Sequence, residues 1–175
     1  FAVLWHTGVR TGTAHGLDVT DFQAERDRLR IRHRPETDTP LKNGTDAERF
    51  IALSTEVSQL VSDYIAERRH GVTDENGRPP LFTTHNGRPA KNTIRRMIYA
   101  VTRPCETGQG CPHGRDVDTC EAAQRTNDAC QCPSTVSGHP VRRGAITHYL
   151  RQDVPEKVVS DRMNVSTDIL DRHYD

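Results

Sequence analysis

Five residues stand out in this chain for what they could do together: Arg10, Lys42, His139, Arg142 and Tyr174. Breaking a phosphodiester bond without a metal needs a nucleophile to attack phosphorus while charge grows on the non-bridging oxygens. Arginine suits that charge, because its planar fork holds two phosphate oxygens at once. Positioning and electrostatics then supply most of the acceleration. A proton donor must also reach the leaving 5′ oxygen. The required set is therefore two arginines, a lysine or histidine, and a hydroxyl nucleophile. His139 and Arg142 are three apart and share one face of any helix that holds them. Taken singly, each residue has a plainer role: a surface arginine, a turn lysine beside Asn43-Gly44, a capping histidine before Pro140, a partly buried tyrosine.

All five cysteines fall between Cys105 and Cys132. An odd, clustered set in a chain without a leader segment points to metal rather than to a disulfide framework. The preferred ligands for a closed, tetrahedral structural zinc are Cys105, Cys111, Cys120 and Cys132, with His113 or Cys130 as substitutes. Residues 104–135 have no apolar period, so a metal would supply cohesion that a core cannot. The spacing is not a CxxC…CxxC repeat, and a flexible loop with reduced thiols is the alternative. Such a zinc would be structural.

Basic and acidic residues balance, 24 against 24, so the sum gives no hint of a polyanionic partner. The distribution does. Residues 87–103 hold Arg88, Lys91, Arg95, Arg96 and Arg103 and no acid, and residues 136–151 hold three arginines and no acid. Residues 106–128, by contrast, hold five acids and two arginines. Arg88, Lys91, Arg95, Arg96 and Arg143 are the candidate phosphate-facing cations; solvated helix faces are the competing reading. No run approaches the roughly 18 apolar residues of a membrane span. No basic-then-apolar leader opens the chain, and a cytoplasmic, DNA-associated location is expected.

The length fits a single domain over residues 1–175. Residues 1–5 read as the middle of a buried helix, so an N-terminally truncated fragment is expected. Gly8 ends that helix, and residues 10–17 read as a turn and a second short helix. Residues 29–33 and 48–53 read as strands of an antiparallel hairpin whose long polar loop holds Lys42. Ser54 is a good N-cap for a helix with Val57, Leu60, Val61, Tyr64 and Ile65 at helical spacing. Residues 80–83 read as a short strand, and Asn86-Gly87 as a turn. Residues 92–101 form a basic helix with Ile94, Met97, Ile98 and Val101 on its apolar side. Three further helices are expected: over 140–151, from Pro155 onward, and from an N-cap at Ser166 to near Tyr174. The class is α+β, mostly α-helical, with a small antiparallel β-sheet.

Four segments in order resemble the tyrosine recombinases (the phage-integrase family). Leu4-Trp-His-Thr-Gly-Val-Arg-Thr-Gly-Thr-Ala-His-Gly-Leu17 resembles the first arginine box, a Thr-Gly-aliphatic-Arg turn before a helix ending in Gly-Leu. Thr39-Pro-Leu-Lys42 through Glu48-Arg-Phe-Ile-Ala-Leu53 resembles the hairpin that presents the catalytic lysine. His139-Pro-Val-Arg142-Arg-Gly-Ala-Ile-Thr-His-Tyr-Leu150 resembles the His-x-x-Arg box, and Met163-Asn-Val-Ser-Thr-Asp-Ile-Leu-Asp-Arg-His-Tyr174 the box that delivers the tyrosine. The resemblance covers nearly the whole chain, and order with spacing carries it. The cysteine-rich insertion is similar to one in integrase-like proteins of archaea.

The resemblance implies a catalytic domain that binds double-stranded DNA. Tyr174 would be the nucleophile and form a 3′-phosphotyrosyl link. Arg10 and Arg142 would hold the non-bridging oxygens. Lys42 would protonate the leaving oxygen, with Lys91 a distant rival, and His139 would donate or relay a proton. Two positions depart from the pattern. Thr13 stands where the family usually has an acid, and Met163-Asn164 where it often has Gly-His or Gly-Trp. Asn164 can donate a hydrogen bond but hold no charge; it fills the second histidine's role, or that role is empty. His173 would point away. The implied activity is that of a site-specific recombinase or integrase, with no cofactor for catalysis, no membrane, a monomer in solution and a tetramer on DNA. A type IB topoisomerase, which religates the same strand, and a catalytically decayed integrase-like DNA-binding module are the alternatives. A zinc-stabilised interaction domain unrelated to DNA would leave the ordered boxes unexplained.

Overall fold

The structure is a computed structural model and describes residues 1–174. Helix α1 (Ala2–Thr7) ends at Gly8, which lies in the left-handed region at φ 60°. Val9 and Arg10 turn the chain into α2 (Thr11–Gly16). Strands β1 (Phe22–Gln23), β2 (Arg28–Ile31) and β3 (Arg49–Ala52) form one antiparallel sheet in that order. Leu29 pairs with Ile51, and alternation buries Leu29, Ile31 and Ile51 while Arg30 and Phe50 face out. The loop between β2 and β3 carries Lys42, as expected.

Helix α3 (Thr55–Asp63) starts at Ser54, whose Oγ accepts the Val57 N–H at 3.4 Å, and loosens into a π turn over Tyr64–Arg68. Then come α4 (Lys91–Val101), the four-residue α5 (Glu121–Gln124), α6 (Gly138–Leu150), α7 (Glu156–Met163) and α8 (Thr167–Tyr174). No helix among the described residues is long and apolar enough to cross a membrane.

Some local expectations fail for identifiable reasons. Residues 80–83 form no strand; Pro80 makes a single bridge to Asp18. Pro79 and Pro80 lack the N–H groups that would extend a ladder. In α1, Val3 and Leu4 are buried but Trp5 is exposed, as is Phe1 just before the helix. Leu60, Met97 and Val101 are also exposed, so the apolar faces of α3 and α4 are narrower than their spacing suggests.

Two apolar clusters form the core. The larger joins the sheet to α1–α4 and includes Val141. The smaller holds Ala145, Ile146, Val159, Met163 and Leu170, with Tyr174 packed against it. Helix α6 contributes to both, which sets Arg142, only 6% exposed, where the two clusters meet.

A buried ion network braces the base of the Lys42 loop. Arg34 pairs with Asp21 at 2.6 Å, and Arg78 and Arg88 pair with Asp18 at 2.8 and 2.5 Å. Arg78 also binds Gly16 O at 3.0 Å and Thr39 Oγ1 at 2.8 Å. Arg88, expected among the phosphate-facing cations, belongs here instead. Its Nε meets Asp74 at 2.8 Å and its Nη1 donates to His15 O at 2.6 Å, and a buried guanidinium needs such partners.

Candidate active site

The site is assembled at the turn between α1 and α2. Thr7 Oγ1 donates to Val3 O at 2.5 Å and accepts the Val9 N–H at 3.4 Å, fixing the turn before Arg10. Gly8 is required twice over: its φ is positive, and a Cβ there would lie 2.6 Å from Met163 Sδ. At the start of α6, a side chain on Gly138 would overlap Thr11 Oγ1. These close approaches bring the ends of α1 and α7 and the beginnings of α2 and α6 to one place.

Arg10 and Arg142 meet there. Arg10 Nη2 donates to the carbonyl oxygen of Asn164 at 3.5 Å, and Arg142 Nη2 donates to the same oxygen at 3.3 Å. Arg142 Nη1 donates to Gly8 O. Asn164 caps α7 in the left-handed region at φ 51°, which presents its carbonyl to both forks. Its side chain accepts from Asn43 Nδ2 at 3.4 Å rather than donating into the site.

A third arginine joins them that the sequence reading did not single out. Arg49, on β3, donates Nε to Arg162 O at 2.8 Å and Nη1 to Ala47 O at 2.7 Å. Burial, then Arg10 and Arg162, push the Arg49 pKa down to about 10. Burial, then Arg10 and Arg49, push Arg142 down to about 10, with Tyr174 acting in the opposite direction. Burial also lowers Arg10. Among the described residues none of the three has a carboxylate partner within salt-bridge distance. Mutually repelling cations answered only by backbone carbonyls make a site suited to an anion.

Arg10, Lys42, Arg49 and Asn164 line one cleft of about 630 Å³. Asp46, Glu48 and Asp161 stand on it too; Glu48 is engaged by the His33 N–H at 2.7 Å and Asp161 by Lys157 Nζ at 2.6 Å. Lys42 is exposed, and Tyr174 is half-buried at the end of α8. His139 is exposed and lines a separate hollow of about 260 Å³ with Thr11, Lys91 and Arg95. Arg96 and Arg143 are exposed, and Arg96 reaches Asn127 Oδ1 at 3.2 Å. All five cysteines are free thiols, and among the described residues no three His, Cys, Asp or Glu side chains are arranged to hold a metal as they stand.

By sequence, the chain matches no family model and no curated protein. By structure, it is similar to XerA recombinase, with a TM-score of 0.65 at 19% identity over 98% of this chain and 50% of that one. It is similar to the Tn1549 transposon integrase in complex with transposon right end DNA, with a TM-score of 0.65 at 17% identity over 98% of this chain and 52% of that one. The XerH site-specific recombinase bound to difH substrate, a pre-cleavage complex, gives 0.59 at 15% identity over 98% of this chain and 40% of that one. The chain thus spans about half the length of these proteins, or less. What it shares with them is architecture: a helical domain with a small antiparallel sheet, the fold of the tyrosine-recombinase catalytic domain.

Proposed function

We propose that the chain is the catalytic domain of a site-specific DNA recombinase or integrase, which cleaves and rejoins strands through a 3′-phosphotyrosyl intermediate. The observation that carries this is the meeting of Arg10 and Arg142 on one oxygen, with Arg49 beside them and no carboxylate partner for the three among the described residues. The fold it shares with enzymes solved on DNA supports the reading.

In this reading the phenol of Tyr174 gives up its proton to solvent as its oxygen attacks phosphorus, and the bond to the 5′ oxygen breaks. Lys42 supplies that oxygen with a proton. Arg10, Arg49 and Arg142 hold the non-bridging oxygens as charge develops on them. The ester to Tyr174 conserves the bond energy, so the 5′ hydroxyl of a partner strand can reverse the attack without a cofactor. His139, Lys91 and Arg95 line one hollow, with Arg143 exposed on the same helix as His139, and contact backbone phosphates of the duplex. The working assembly is a monomer in solution and a tetramer on DNA.

A panel of nicked suicide sites, selected for binding, tests the proposal. A covalent protein–DNA adduct on a denaturing gel, lost in Tyr174→Phe, is the expected result. Tight binding with no adduct on any site would instead favour a catalytically decayed DNA-binding module. That second reading draws on Asn164, whose side chain cannot carry the charge of the histidine often found in that region of the family.

A further inference from the structure

The segment between α4 and α6 has very little apolar matter to hold it. Across residues 104–135 the buried hydrophobic side chains are those of Ala122 and Ala129. Two methyl groups cannot offset the entropy of ordering so much backbone. Yet the segment is docked at definite points. Thr135 Oγ1 donates to Tyr99 O at 2.5 Å, and Arg103 Nη1 donates to Ala122 O and Ala123 O at 2.5 and 2.7 Å. With every cysteine free, disulfides supply none of the cohesion.

Four of the thiols line one small cavity. Cys105, Cys111, Cys120 and Cys132 stand around a void of about 20 Å³, with His113 also on its wall. Cys130 is exposed and does not line it. His113 Nε2 is paired with Ser134 Oγ at 2.9 Å. Arg103 and Arg115 line the same void, so it has cationic walls. Cys120 is the N-cap of α5, and its carbonyl oxygen accepts the Ala123 N–H at 2.8 Å, which fixes the thiol at the helix start. The sulfurs bracket the void without yet converging as ligands.

We infer that Cys105, Cys111, Cys120 and Cys132 bind one zinc ion in a closed, tetrahedral, structural site. Each thiol gives up its proton to solvent as its sulfur binds the metal. The resulting tetrathiolate is anionic, and Arg103 and Arg115 are the groups on the same void that balance it. The ion lies outside the catalytic cleft. It ties the end of α4, the helix of Lys91 and Arg95, to the start of α6, the helix of His139 and Arg142, and so sets the spacing between them.

Metal analysis of protein purified without chelator or a metal-affinity step tests the site. About one zinc per chain is expected. The content falls to background in Cys120→Ser and Cys132→Ser and is kept in Cys130→Ser. Should the serine variants fail to fold, cobalt exchange into the unaltered protein still gives a readout: thiolate-to-cobalt charge transfer and the intense d–d bands of a tetrahedral sulfur site. Zinc below roughly half an equivalent in reduced protein, disulfides by mass in place of thiols, or equal zinc loss from Cys130→Ser overturns the assignment. The assay needs no DNA, so its outcome is separate from that of strand cleavage.

Discussion

Arg49→Met distinguishes a guanidinium kept for an anion from one kept for the fold. Burial and the charges of Arg10 and Arg162 push the Arg49 pKa down to about 10, so its surroundings work against the charge it carries at neutral pH. Its hydrogen bonds to Arg162 O and Ala47 O are together on the order of 3 kcal/mol for a charged donor. Methionine removes the buried charge and its repulsion along with those two bonds, and replaces much of the aliphatic stem. Urea denaturation at low ionic strength should therefore show a stability change within about 1 kcal/mol. Covalent adduct per folded molecule should fall by about 100-fold, the loss expected when one charge-stabilising donor leaves a transition state. Arg49→Lys should recover part of that loss. A methionine variant destabilised by about 3 kcal/mol that still cleaves normally would refute the reasoning. Arg49 would then be a tie between β3 and α7.

Other perturbations probe the same geometry. Gly8→Ala should cost about 1–2 kcal/mol for the left-handed backbone and a further ~1–3 kcal/mol for crowding Met163; in a Met163→Ala background only the first part should remain, as read by equilibrium unfolding. Asn164→Gly keeps the φ 51° backbone and the carbonyl that serves both arginines, so adduct formation should stay near wild type. A drop of about 100-fold would show that the amide does the missing histidine's work. His6 Nε2 accepts the Ser54 N–H at 3.0 Å, and burial, then Arg162, lower its pKa, with Glu56 opposing. The unfolded chain then binds the proton first. Stability should fall as pH drops below the ordinary value near 6.5 and level off under the folded value. His6→Gln should flatten that part of a urea-midpoint profile.

Local chemistry explains why much of the arrangement is legible in the sequence. Ser54 has the hydroxyl a helix start needs, Gly8 tolerates a left-handed turn, and the alternation of Leu29 and Ile31 predicts the pleat that buries them. The arginine pair is legible only through order and resemblance, since Arg10 and Arg142 become neighbours by tertiary folding. Arg88 shows the limit of reading charge by blocks. Its neighbours along the chain are basic, but Asp18 and Asp74 reach it in space. Arg49 left a usable signal: two residues before buried Ile51, it had to share that strand's inward face. Asn164 drew notice for its side chain, whereas its backbone oxygen serves the site, because a left-handed cap turns the carbonyl rather than the amide toward the arginines.

The Asn164 carbonyl is the acceptor that Arg10 and Arg142 share, so an anion held between them would compete with it. A guest that engaged both forks fully would evict it. At 3.3 and 3.5 Å the two bonds it accepts are long, so eviction is cheap for a ligand with many other grips and less rewarding for a small free ion. The residue evicted is the joint between α7 and α8, and α8 ends in Tyr174. A guest that displaced that carbonyl would pull on the short segment between the two helices, and through it on the one that ends in Tyr174.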